Sequence, residues 1–282
     1  MTLEIVEKMS VAGAAVNEDR VGAAGALAWV IDGATDAVAT PLAGERSDAD
    51  WIAGEIDAAL RGQAAGLAAP LAGLPASLAA EIAQRFERAA RRPPAGRAEH
   101  PSAAGLIVRA AGQGLDYVSL GDCALIAADG QRTCYVGVGE DRAGDRWVAE
   151  AIASYLASNT GASLAAARAN LRGAFAAARA VMNTPGGYGI FSITPPPAEL
   201  VGSGSLDLAP GAHVLLATDG LMRLVDVFRR YDARALVEAA RARGLAALAR
   251  ELRDLEQADV SCALFPRAKV SDDASAVLLR VP

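Results

Sequence analysis

The chain has 282 residues, of which 52% are hydrophobic and 21% charged, and a formal net charge of −6. That is enough apolar material for a sizeable core, and the composition excludes a disordered chain. The acidic balance also excludes the basic footprint of a nucleic-acid binder; the densest basic stretch, 85–97, contains Pro93-Pro94 and reads as a solvated helix end running into a loop.

A strand is expected over 3–9, able to pair with a second over 25–31, and the loop between them carries Asn17-Glu18-Asp19. Ser47-Asp48-Ala49-Asp50 resembles a capping box, followed by Trp51, Ile52, Ile56 and Leu60 at helical spacing. A Gly/Ala/Pro connector leads to a second helix, with Ser77 as its N-cap and Leu78, Ile82, Phe86 and Ala89 as its apolar stripe. The middle is β-rich, with strands over 105–110, 115–120, 123–127 and 133–136, and Asp129-Gly130 is a hairpin signal. Two helices follow. Val148, Ile152, Tyr155 and Leu156 mark the first; Leu164, Ala167, Leu171, Phe175, Ala178 and Met182 mark the second. Strands return over 189–193 and 213–217, separated by Pro195-Pro196-Pro197. Leu236-Val237 and Leu245, Leu248, Leu252 and Leu255 mark two late helices, and 276–281 is the last strand.

Strands in hairpin-like runs, with helices in pairs, argue for an α+β fold over a doubly wound parallel sheet. The expected architecture is a central antiparallel β-sandwich flanked by helix pairs on both outer faces, four layers in the order α-β-β-α. No long linker divides the chain, so 1–282 is expected to be one domain. Cys123, Cys134 and Cys262 form neither a Cys-x-x-Cys pair nor an even framework, and a reducing cytoplasm is the expected setting. The first residues lack a signal-peptide profile. No apolar run reaches membrane-spanning length, so no membrane partner is expected.

The chemistry is concentrated in acidic stops beside apolar runs: Asn17-Glu18-Asp19, Ile31-Asp32-Gly33, Thr218-Asp219-Gly220 and Ser271-Asp272-Asp273. A carboxylate at the end of a buried strand is costly to desolvate. Several converging on one point need a cation, and oxygen donors without Cys or His favour Mg²⁺ or Mn²⁺. Each stop alone has an ordinary explanation: Asp-Gly is a common turn, and adjacent acids suit a solvated loop. His100 and His213 read as a loop residue and a strand residue. Gly137-Val138-Gly139 lacks the third glycine of a dinucleotide fingerprint, since Arg142 stands there.

Taken in order, five stretches carry a resemblance: Asn17-Glu18-Asp19-Arg20, the run from Trp29 through Asp32-Gly33 to Thr35, the run from Val118 through Gly121-Asp122 to Cys123, the run from Leu215 through Asp219-Gly220 to Leu221, and the run from Asp272-Asp273 to Val277. They resemble the PPM (protein phosphatase 2C) family of metal-dependent serine/threonine phosphatases in its bacterial form, across nearly the whole chain. The resemblance implies a phosphomonoester hydrolase acting on a phosphorylated protein. It would use two Mn²⁺ or Mg²⁺ ions, with an accessory third, to ready a water for direct attack on phosphorus without a phosphoenzyme. It assigns Asp32 to bridge the two ions, and Gly33 (by its carbonyl) and Glu18 to one of them. Asp219 and Asp272 hold the other, Asp122 joins Asp219 at the third, and Asp273 supports the set. Asp19 would orient the attacking water, and Thr218 and Ser275 would tune these acids through hydrogen bonds. Two departures stand out. Ala34 occupies the place where many members carry His, and 11–16 lacks the phosphate-gripping Arg of eukaryotic members, for which Arg20, Arg46 or Arg223 could substitute. A phosphoprotein-binding module that has lost turnover, and a phosphatase for small metabolites, remain as alternatives. The physiological substrate and the oligomeric state stay open.

Overall fold

The computed structural model describes residues 2–36, 40–64, 69–137 and 143–281, and the side chains of all of these but 143–146. Residues 65–68, in the Gly/Ala/Pro connector, and 138–142, which hold most of the Gly137 to Arg142 stretch, lie outside the described residues. The strands form two antiparallel sheets. One has the order β1 (Glu4–Val11), β11 (Ala274–Arg280), β10 (His213–Ala217), β6 (Ala124–Asp129), β7 (Arg132–Val136). The other has the order β2 (Asp19–Ala24), β3 (Leu27–Gly33), β4 (Ser102–Ala111), β5 (Gly114–Leu120), β9 (Gly202–Asp207), with β8 (Phe191–Ser192) pairing on β4.

The sheets face each other across Val30, Leu106, Leu125, Leu216 and Val277, all fully buried. Against the outer face of the second sheet lie α1 (Asp48–Gln63) and α2 (Leu74–Ala89), which pack Ile52, Ile56, Leu78 and Ile82 onto Trp29 and Ile31. Against the outer face of the first lie α6 (Asp219–Asp226), α7 (Ala233–Arg243) and α8 (Leu245–Ala258), which pack Leu221, Leu236, Leu248 and Leu252 onto Ile126 and Leu215. The result is the four-layer α-β-β-α sandwich expected. Each such apolar side chain contributes roughly 1.5–3 kcal/mol on burial. Outside the layers, α3 (Ala143–Ser158), α4 (Leu164–Asn170) and α5 (Arg172–Ala180) share a minor core of Ile152, Ala167 and Leu171 with Phe175 and Ala268.

Several elements differ from expectation. β1 pairs with β11, in the opposite sheet from β3. Asp19 opens β2 instead of lying in a loop, and β2 is the strand that pairs with β3. The helix expected through 164–182 breaks at Leu171, whose φ −88° and ψ 0° separate α4 from α5. Asn170 and Gly173, poor helix formers, flank that break. Ser77 caps nothing, because α2 starts at Leu74 with Pro75 in its first turn. Ser47 does cap α1, accepting from the Asp50 N–H at 3.0 Å. Only Phe191–Ser192 of 189–193 pairs as a strand, and β9 lies in a Gly/Ser-rich stretch with no apolar run to announce it.

Antiparallel pairing sets the end of one strand beside the start of its neighbour. Asp19 faces Asp32 across β2 and β3, Asp32 faces Ala104 at the start of β4, and Gly105 faces Leu120 at the end of β5. In the other sheet Ala217, ending β10, faces Ala124 and Ala276. Five acid-bearing segments therefore reach the same end of the sandwich.

Candidate functional site

A cavity of about 1540 Å³ opens at that end. Asp32, Asp122, Asp219 and Asp272 line one side of it, and α4 and α5 close the other with Arg168, Arg172, Arg179 and Phe175. Asp19 lies beneath, 2% exposed, directly across the strand pair from Asp32. Facing pairs of this kind hold their Cβ atoms about 4.5–5.5 Å apart.

The glycines of the two Asp-Gly pairs let the acid-bearing segments dock. A Cβ on Gly33 would stand 2.7 Å from the Ala49 carbonyl oxygen and 2.9 Å from that of Glu18. On Gly220 it would stand 1.9 Å from the Asp273 carbonyl oxygen. Only hydrogen fits in such gaps. The β1–β2 loop is tied to the start of β11 by Asp273, whose two oxygens accept from the Gly13 N–H at 2.8 Å and the Glu18 N–H at 2.7 Å. Glu18 in turn accepts at its carbonyl from the Gly33 N–H at 3.2 Å. Asp273 thus spends both oxygens on backbone, as a brace between segments. The Glu18 side chain is half-buried and faces Ser47, Lys269 and Asp36.

Like charges crowd the floor. Burial pushes the Asp32 carboxyl well up, and Asp19, Asp219, Asp122 and Asp272 push it further. Burial also raises Asp19, with Asp219 and Asp273 adding to it and the Ser275 and Thr218 hydroxyls opposing. The Thr218 hydroxyl donates to Asp19 Oδ2 at 2.9 Å, whereas Ser275 donates to Ser10 Oγ at 2.8 Å. Asp19 Oδ1 is left buried with no hydrogen-bond partner. An orphaned buried carboxylate oxygen is costly unless a cation meets it.

Asp272 is in a different state. Its Oδ2 accepts from Arg223 at 2.8 Å and its Oδ1 from Lys269 at 2.9 Å. Burial alone would raise its carboxyl, but Lys269 and Arg223 outweigh burial and hold it below the usual range. The expectation of a closed ligand set is not met: among the described residues no three acidic, His or Cys side chains are arranged to hold a metal ion. Both oxygens of Asp272 are instead taken by Arg223 and Lys269.

The residues nonetheless fit a hard divalent ion. The donors are carboxylates and carbonyls without His or Cys, several acids repel one another across a cavity wall, and the Asp19 oxygen lacks a partner. None of the substitutes expected for the missing Arg lines the cavity. Arg20 and Arg46 both pair with Asp50, and Arg223 is tied to Asp272 and Glu256. Arg168, Arg172 and Arg179 line it instead. Arg179 donates to the carbonyls of Ala98 (2.8 Å), Thr35 (3.2 Å) and His100 (2.7 Å), fastening α5 beside the site. Sequence reasoning missed these arginines and Lys269. Lys269 carried one signal, being one of only two lysines in an arginine-rich chain. Ala34 lines the cavity without a proton donor, and neither His100 nor His213 lines it. Asp36, also unanticipated, caps α1 by accepting from the N–H groups of Asp48 (2.8 Å) and Ala49 (3.0 Å).

No protein-family model and no curated protein sequence matches the chain. Solved structures do. The serine/threonine phosphatase PstP/Ppp of Mycobacterium tuberculosis is 15% identical, with 100% of this chain and 99% of that one covered at a TM-score of 0.57. A catalytic domain of the serine threonine protein phosphatase PstP in complex with two manganese ions is 17% identical, with 99% of each chain covered and a TM-score of 0.56. The PPM Ser-Thr phosphatase MsPP of Mycobacterium smegmatis, in complex with cacodylate, is 17% identical, covering 99% of this chain and 100% of that one at 0.51. The chain has the fold of the PPM-type serine/threonine phosphatases.

Proposed function

We propose that the chain is a metal-dependent phosphomonoester hydrolase of the PPM family, acting on phosphoserine or phosphothreonine in a protein. The observation that carries this reading is the convergence of Asp32, Asp122, Asp219 and Asp272 from four separate segments on one cavity, with Asp19 of a fifth packed beneath Asp32. The fold shared with PPM phosphatases, one of them in complex with two manganese ions, supports it. Asp32, Asp219 and Asp122, with the Gly33 carbonyl, are the residues that would hold Mn²⁺ or Mg²⁺. Glu18 and Asp272 join once their present partners release them. When bound, such ions supply charge neutralisation and a water acidic enough to attack phosphorus near neutral pH.

The chain's own residues supply the rest. Asp19, fixed by Thr218 and facing Asp32 from beneath the cavity, would orient the attacking water. Arg168 and Arg172, on the facing wall, draw the phosphate into the cavity. Phe175 and the alanines of α4 and α5 limit bulk water and leave room for a peptide segment. No nucleophilic Cys or Ser is called for. Three free cysteines fit a reducing cytoplasm, and no helix among the described residues is long and apolar enough to cross a membrane.

Asp32→Asn removes the central charge while keeping shape. It is expected to lower Mn²⁺-dependent hydrolysis of p-nitrophenyl phosphate by about 100-fold or more with the fold retained by circular dichroism. Hydrolysis at the parent rate removes the enzyme reading. A second reading, a phosphoprotein-binding module, draws on the cation-paired state of Asp272 and on Ala34. Tight phosphopeptide binding without turnover by the unaltered protein favours it.

A further inference from the structure

Lys269 is built into the acid cluster. It lies in the segment between α8 and β11, and the backbone on both sides of it is fixed. On one side Ala268 packs into the minor core beneath α3, α4 and α5. On the other, the Val270 carbonyl accepts from Arg267 Nε at 3.1 Å, and Arg267 is itself buried against Asp259 at 2.8 Å. The lysine ammonium touches Asp272 Oδ1 at 2.9 Å and lies within electrostatic reach of Asp219 and Asp32. The other oxygen of Asp272 is held by Arg223, whose second partner is Glu256, fully buried, at 3.1 Å. Glu256 also binds Arg253 at 2.5 Å. Arg223 is therefore locked from behind, and Lys269 is the cation at Asp272 that can move.

An ammonium is a compact point charge, close to a small ion in what it offers a carboxylate, whereas a guanidinium is a wide planar fork. Charge sets how many ions such a cluster takes. Asp19, Asp32, Asp122, Asp219 and Asp272 are opposed by Lys269 and Arg223. With all five ionised, one divalent ion leaves the set one charge negative, whereas a second makes it one charge positive while Lys269 stays in place and neutral once the lysine leaves.

Resting on the metal-dependent reading above, we propose that Lys269 stands in for one divalent ion. The chain takes a single Mn²⁺ or Mg²⁺ tightly on the side of Asp19, Asp32, Asp122 and Asp219, and admits a second at Asp272 only by displacing the lysine. Lys269 is thus a positioning residue that sets metal stoichiometry.

The test is calorimetric titration of Mn²⁺ into the metal-free full chain, unaltered and as Lys269→Met and Lys269→Ala, with thermal melts to show that each is folded. The unaltered chain is expected to show one tight site and a second about tenfold weaker or more. In either variant the second site tightens by about tenfold. Two equally tight sites in the unaltered chain, or a second site that stays weak in both variants, overturn the role of Lys269 and leave the metal-dependent reading standing. No Mn²⁺ binding by any of the three proteins overturns both.

Discussion

Asp32 and Asp272 are the same side chain held in opposite electrostatic states within one cavity. Burial and neighbouring acids raise the carboxyl of Asp32, and of Asp19 beside it, whereas Lys269 and Arg223 outweigh burial and lower that of Asp272. The two states give stability opposite dependences on pH. In the metal-free fold Asp19 and Asp32 keep protons at pH values where the unfolded chain, titrating near about 4, has lost them. Their contribution is present at low pH and is lost as pH rises through their raised folded values. Asp272 contributes above about 4 and loses its contribution as pH falls through its lowered value. As pH rises from about 4 toward those raised folded values the pair governs, costing roughly 1.4 kcal/mol per pH unit for each proton still retained. Calorimetric melts in chelator are expected to show stability falling across that range, with a shallower fall in Asp32→Asn. A melting temperature that climbs with pH contradicts this description. At this scale the sequence singled out Asp32, Asp122, Asp219 and Asp272, which the fold brings to one cavity. It did not disclose that two cations already occupy one of them, because Arg223 lies 49 positions before Asp272.

At the scale of elements, the acids meet because backbone docks on backbone at glycine. α6 can start against the β11 segment only because Gly220 lacks a side chain; the atom a Cβ would strike is the Asp273 carbonyl oxygen, which cannot swing aside. Gly220→Ala is expected to cost about 1–3 kcal/mol as an overpacking strain and to weaken Mn²⁺ binding by pushing Asp219 away from Asp32. A urea midpoint equal to that of the parent shows that the contact is looser than described. Strongly patterned elements were legible: the Ser47 cap, the stripe of Ile52, Ile56 and Leu60, and the Asp129-Gly130 hairpin all form as read. β2 and β9 were not, because Asp19–Ala24 and Gly202–Asp207 are rich in Gly, Ala and Ser and owe their strand form to their neighbours. The break between α4 and α5 was missed for a related reason. Apolar spacing continues through Leu171, so periodicity hides a turn that only the backbone reveals.

For the molecule as a whole, the layered architecture was readable from the order of strand runs and helix pairs, whereas strand pairing was not. β1 looked able to pair with β3 by proximity in the chain, yet it closes the other sheet beside β11, more than 260 positions away. That long-range closure carries Gly13, Glu18 and Asp19 to the end of the sandwich where Asp219 and Asp272 emerge, and it makes scattered acidic stops into one site. The central claim is that these acids gather to hold divalent ions. Its most direct test is a crystal grown with Mn²⁺, measured at the manganese absorption edge. The account predicts an anomalous peak in the cavity among Asp32, Asp122 and Asp219, whereas a cavity without manganese, with peaks confined to surface acids elsewhere, contradicts it.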